Sequence, residues 1–152
     1  MVIRILAVGK RHESWVGEGI TRYESRLRKP FQINWQLVAH SQRGAEAARE
    51  EESDRILNKI KDNETVVLLD ERGTMFDSFG WAQTMQRSIE SGVGLTIVIG
   101  GSYGVDNRIR ERAKHVWSLS NLVFPHQLVR LMLVEQIYRA QEILSGGGYH
   151  HA

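Results

Sequence analysis

Three loops hold the residues with which this chain could do chemistry, and each follows a short β-branched run. Asp70-Glu71-Arg72-Gly73 follows Leu69, and Gly100-Gly101-Ser102-Tyr103-Gly104 follows Ile99. The third, Ser118-Leu119-Ser120-Asn121-Leu122-Val123-Phe124-Pro125-His126, leads into the most apolar helical stretch of the chain. Three glycines within five residues let a ligand lie directly against backbone. Their spacing is not the GxGxxG dinucleotide fingerprint, and no Gly-Lys-Ser/Thr follows to make a phosphate loop. On the glycines alone, a tight strand-to-helix turn is the favoured reading. The third loop is small or apolar in character, suited to wrap a flat uncharged group such as adenine through backbone hydrogen bonds. A core strand stopped by Pro125, which then starts the next helix, would read the same way.

The titratable groups narrow the chemistry. None of the six histidines stands in an HExxH or similar ligand spacing, so no metal site is expected. His126 opens a helix, whose N-terminal dipole disfavours the imidazolium; a neutral ring there can accept a proton. Tyr149-His150-His151 follows Gly146-Gly147-Gly148, a flexible joint, and by composition reads as a frayed end. The chain has no cysteine, which excludes disulfides, cysteine-ligated zinc and a cysteine nucleophile.

The elements that must position these loops alternate. Val2 to Val8 reads as a strand, and Trp15, Ile20, Tyr23 and Leu27 recur at helical spacing until Pro30. Phe31 to Ala39 is a second strand, and residues 44 to 61 form a charged helix. Thr65–Leu69 and Leu95–Ile99 are continuous apolar runs of the kind buried on both faces in parallel sheets. A helix marked by Phe79, Trp81, Ala82, Met85 and Ile89 lies between them. A short helix over Asp106–Ala113, a strand over His115–Leu119 and a long helix over Gln127–Leu144 complete the order. The expectation is one α/β domain over residues 1–152, with a parallel-rich sheet, helices on both faces and right-handed crossovers.

At 152 residues the chain suits one core, and its apolar and charged fractions are those of an ordinary globular protein. No apolar run reaches the roughly 18 residues of a membrane helix, and no secretory signal is read at Val2–Val8; a cytoplasmic location is the expectation. The net charge of +2 is unevenly spread. Residues 1–30 carry Arg4, Lys10, Arg11, Arg22, Arg26, Arg28 and Lys29 against three glutamates, a surface that a polyanion would seek. A merely solvated helix face explains it equally well.

Taken in order, these segments resemble the small SPOUT-class methyltransferases that modify N3 of a pseudouridine in large-subunit ribosomal RNA. The likeness runs through Ala7-Val8-Gly9-Lys10, Leu68-Leu69-Asp70, Ile99-Gly100-Gly101-Ser102 and Gly104. It is densest at Trp117-Ser118-Leu119-Ser120 and Phe124-Pro125-His126-Gln127-Leu128-Val129-Arg130, and ends with Glu135–Ala140 and Tyr149-His150. It implies a C-terminal trefoil knot and S-adenosyl-L-methionine bound by Leu69, Gly101, Ser120, Asn121, Leu122, Val123, Phe124 and Pro125. A side chain at Gly101 is expected to fill ligand space while leaving the fold intact. His126, Arg130, Arg139, Tyr149 and His150 are implied at the catalytic or substrate side, with His126 or His150 as base and Arg130 or Arg139 beside the anion. The tail is expected to stay mobile until RNA arrives. The partners implied are ribosomal RNA or the ribosome and a second copy of the chain, with no membrane and no metal. Excess apolar surface on the last helix also favours a homodimer. Family tails run Asn-x-Pro-Tyr-His and then a lysine or arginine; this one lacks the proline and the terminal cation. A non-enzymatic factor that binds ribosomes or RNA on the same α/β fold is the alternative.

Overall fold

A computed structural model describes residues 2–151 of the chain. Its elements are β1 (Val2–Val8), α1 (Ser14–Glu24), β2 (Gln32–Val38), α2 (Ala45–Leu57) and β3 (Thr65–Met75). They continue with α3 (Ser78–Ser91), β4 (Leu95–Ile99), α4 (Asn107–Arg112), β5 (His115–Ser118) and α5 (His126–Ser145). The strands form one sheet in the order β2-β1-β4-β3-β5, and every pairing is parallel.

Alternation along the strands builds two cores. Ile3, Ile5 and Ala7 of β1, Val67 of β3 and Leu95, Ile97 and Ile99 of β4 face α1, α3 and α5. Leu6, Val8, Val66, Leu68 and Val98 point the other way and meet Ile56 of α2 and Ile109 of α4. Both faces are therefore covered, as all-parallel sheets require. Capping fixes several helix ends. Asp77 accepts from the amide of Gly80 at 2.7 Å to start α3, and Asp106 accepts from that of Arg108 at 3.0 Å to start α4. Gly92 and Gly146 end α3 and α5 in the left-handed conformation. Among the described residues no helix is long and apolar enough to cross a membrane.

Two boundaries differ from the sequence reading. Helix α1 ends at Glu24, well before Pro30, where the chain tightens into turns in which the amides of Arg26 and Leu27 donate to the carbonyls of Tyr23 and Glu24. Residues 70–73, read as a loop, lie inside β3. Leu69 and Thr74 both pair with Trp117, so the four residues between them bulge from the strand before it returns to β5. Gly73 makes the return possible: a Cβ there would sit 2.4 Å from the carbonyl oxygen of Val116.

Candidate active site

The carboxyl ends of β3, β4 and β5 converge on a cavity of about 250 Å³. Open parallel sheets bind ligands at this end, where loop backbone is free of the ladder. The β3 bulge gives Asp70, Glu71 and Arg72 to the wall, the β4–α4 loop gives Gly100 to Val105, and the segment after β5 gives Leu119, Ser120, Leu122, Val123 and Phe124. His126 and Val129, from the first turn of α5, close one side.

Each loop is held by its own bonds. Gly104 donates to the carbonyl of Gly101 at 2.9 Å and adopts a positive φ of 74°, a turn that glycine allows at little cost. The Ser118 hydroxyl donates to the carbonyl of Ser120 at 2.8 Å, and the Ser120 hydroxyl accepts from the Leu122 amide at 3.0 Å. This folds the segment outward, leaving Leu122 and Val123 largely exposed at the lip. Asp70 accepts from the amide of Arg72 at 2.9 Å and is paired with Arg110. Burial would raise its carboxyl pKa, but these bonds to Arg72 and Arg110 hold it below the usual carboxylate value.

His126 is held below the ordinary histidine pKa, first by burial and then by the charges of Arg130 and His40, with Glu71 and Glu52 opposing. The neutral ring is therefore favoured near neutral pH. Arg130 is buried at 1% exposure and has no carboxylate partner among the described residues. Its guanidinium donates to the carbonyl of Lys10 at 2.8 Å and lies 3.3 Å from Nδ1 of His12, so it ties α5 to the β1–α1 loop. Burial and Arg130 together lower the His12 pKa as well.

The remaining candidates lie elsewhere. Arg139 pairs with Glu135 at 2.6 Å, meets Nδ1 of His150 at 3.0 Å and sits 4.7 Å from the centre of the Tyr149 ring. The Tyr149 hydroxyl donates to Glu135 at 3.1 Å, and His150 stands edge-on to Phe79 at 4.9 Å. The tail is thus packed on α5 and α3, because Arg139 offers it both a cation for the tyrosine face and a hydrogen-bond donor. Along α5, Arg139 is 13 positions beyond His126 (139 less 126), about 20 Å at 1.5 Å per residue. Within one chain, Leu69, Gly101, Ser120, Leu122, Val123, Phe124 and His126 come together, while Asn121 and Pro125 lie off the cavity wall. Arg130 sits behind the wall, and Arg139, Tyr149 and His150 form a second group.

Residue-type reasoning missed two contributors. Trp117 lines the cavity on one side and stacks on Trp81 at 4.2 Å. Glu52 of α2, 3% exposed, accepts from the Ser41 amide at 2.9 Å and leaves its other oxygen unpartnered against Gly101. Its one sequence signal was an acid at a position where α2 must face the sheet.

A family description of predicted SPOUT methyltransferases matches residues 1–150. The chain belongs to the SPOUT methyltransferase family. Among relatives, the ribosomal RNA large subunit methyltransferase H of Geobacter metallireducens is 42% identical over 157 residues, covering all of both chains. The protein of the same name from Trichlorobacter lovleyi is 39% identical over 154 residues, 99% of this chain and all of that one. A solved structure described as a probable methylase family protein, from Haemophilus influenzae, superposes with a TM-score of 0.57. It is 14% identical and covers 99% of this chain and 70% of the other, a likeness of fold. Family membership makes the chain a methyltransferase and makes a methyl donor part of its chemistry.

Proposed function

We propose that this methyltransferase acts on large-subunit ribosomal RNA in the cytoplasm, moving a methyl group from S-adenosyl-L-methionine to N3 of a pseudouridine. One observation carries the reading. In a chain that matches the family over residues 1–150, the Gly101 loop, the Ser120–Phe124 segment and a neutral-leaning His126 share one cavity.

The wall chemistry fits the donor. Leu69, Leu119, Phe124 and Val129 suit an adenine ring, loop backbone offers its hydrogen bonds, and Glu71 complements a cation. The bound donor supplies a methyl group already activated by its sulfonium, so positioning is the main task left to the chain. The N3 of pseudouridine carries an imide proton that must leave before or during attack. His126 is placed to take it at the ring nitrogen. Arg130 holds the β1–α1 loop against α5 and adds positive charge behind His126, which favours the anion left on the base. With no cysteine in the chain, a covalent adduct of the kind used for methylation at pyrimidine carbon is excluded.

The same reading includes the C-terminal trefoil knot and a homodimer. Leu128, Leu131, Met132, Glu135 and Gln136 form a partly buried stripe on α5 beside a second cavity of about 510 Å³. An isologous pairing of this stripe about an axis near Met132 sets two α5 helices antiparallel. The partner's Arg139 and tail then approach His126, closing the gap of about 20 Å that separates the two groups within one chain.

The test is transfer of labelled methyl from S-adenosyl-L-methionine to ribosomes or large subunits that lack the modification. Label on N3 of a pseudouridine is expected. Calorimetric uptake of the donor without transfer to any RNA would overturn the substrate, and no uptake at all would favour a non-enzymatic binder.

A further inference from the structure

The cations of residues 1–30 are not evenly used. Among the described residues Arg4 pairs with Glu64 and Arg28 with Glu142, whereas Lys10, Arg11, Arg22, Arg26 and Lys29 make no ion pair and are exposed. Trp15, Arg22 and Arg26 are seven and four positions apart, so Trp15 and Arg22 share a stripe on α1 that Arg26 extends past its end. From Trp15 to Arg26 the stripe runs about 16 Å at the helical rise. Lys10 and Arg11 sit in the loop just before it. Glu18 is the one exposed acid on this stripe, and it stands between Trp15 and Arg22.

Trp15 is the unusual member. The residue is 52% exposed, although large aromatic side chains are normally covered. It is not loose: the ring nitrogen donates to Glu13 at 2.6 Å, and the Glu13 amide donates to the Gln127 side chain at 3.0 Å. Gln127 in turn reaches the Arg11 carbonyl at 3.4 Å, and Arg130 holds the Lys10 carbonyl. The loop and the ring are therefore fastened to the first turn of α5, next to His126.

We propose that this loop and the outer face of α1 form the track for the RNA strand that carries the target base. Trp15 stacks a base flanking the target, while Lys10, Arg11, Arg22 and Arg26 hold its phosphates. A fixed aromatic platform among unpaired cations is the arrangement that single-stranded nucleic acid takes, because every base has a stacking face and every linkage a charge. A purely electrostatic surface would have no use for an exposed indole. The inference rests on the RNA substrate of the preceding reading and deepens it.

The experiment measures binding of full-length protein to a labelled hairpin RNA with pseudouridine in its loop, across a salt series. Trp15→Ala should weaken binding by about 10-fold or more, and Trp15→Phe should restore most of it. The pairs Lys10→Ala with Arg11→Ala, and Arg22→Ala with Arg26→Ala, should each flatten the salt dependence by about 1.4, at roughly 0.7 per phosphate lost. Donor affinity and molecular mass should match wild type in every variant. Unchanged RNA affinity and salt slope would overturn the track, as would loss of dimer mass in Trp15→Ala, which would assign the indole to a second copy. Methyl transfer by the wild-type protein to ribosomes and large subunits that lack the modification tests the preceding reading separately. Hairpin bound by the protein, with no transfer to either particle, would sink that reading and leave the track standing.

Discussion

The unpartnered carboxylate oxygen of Glu52 lies 2.5 Å from the point where a Cβ on Gly101 would stand. The backbone at Gly101 is outside the positive-φ region, so space and not conformation demands glycine there. That space belongs to the protein interior, since Val8 is the next neighbour at 3.1 Å. A side chain at Gly101 therefore disturbs the packing of α2 against the sheet before it meets any ligand. This differs from the sequence expectation, in which ligand space alone was filled.

Gly101→Ala should cost about 1–3 kcal/mol of stability, as overpacking of a filled interior does. Denaturant unfolding would read it. The same change in a Glu52→Ala background should cost clearly less, because the two sites are in contact and their effects do not add. Equal costs in both backgrounds would show that Glu52 is not what Gly101 makes room for.

His126→Gln should reduce methyl transfer by about 10²- to 10⁴-fold, the usual contribution of a positioned base, with donor affinity within a few-fold. Its neutral form is the active one, and burial holds its pKa below 6.5. The acid limb of the wild-type rate profile should therefore fall below pH 6.5 and vanish in the variant. A wild-type limb at or above pH 6.5 would point to a different base.

Acid should also destabilise the fold. His12, His115 and His126 all have lowered pKa values, with burial the largest cause for each. The unfolded chain, with histidines near 6.5, binds more protons than the native one just below that pH. Stability should be full above pH 6.5 and fall as the pH drops from there toward the lowered values. A melting temperature flat from pH 7 to pH 5 would contradict this.

Truncation after Gly148 should leave donor affinity within a few-fold and lower methyl transfer by about 10²-fold. The docked Tyr149 and His150 lie with Arg139, away from the cavity of their own chain, so ground-state donor contacts do not include them. A truncated protein with the full rate would make the tail dispensable.

Met132→Glu should convert a dimer to a folded monomer, because Met132 is only partly buried on α5 and its replacement places a charge at the centre of the stripe. Light scattering at micromolar concentration reads the mass. A monomeric wild-type protein, or a variant of unchanged mass, would rule out this face as the interface.

Strand and helix order was legible because the runs 65–69 and 95–99 are apolar but for one threonine each, as suits strands covered on both faces. The cavity loops were legible because glycines and small residues cluster after those strands. What was not legible was long-range. The return of β3 past its bulge depends on Gly73 meeting the Val116 backbone, 43 positions away in sequence (116 less 73), and no local pattern reports that. Glu52 behind Gly101 was hidden for the same reason. The tail's place on Arg139 follows from a tertiary cation–aromatic contact where composition reads only a flexible joint.

The sheet order has a consequence for synthesis. β1 lies between β2 and β4, and its Ile3, Ile5, Leu6 and Ala7 are fully buried in the finished protein. Yet β4 begins 87 residues after β1 ends (95 less 8). At about 5–20 residues per second, the first strand emerges roughly 4–17 s before its second neighbour exists. During that interval an apolar strand has one open edge and lacks the cover of α5, a state prone to pairing with another chain. Shielding the open edge of β1 until β4 arrives is therefore a demand that this sheet order places on the growing chain.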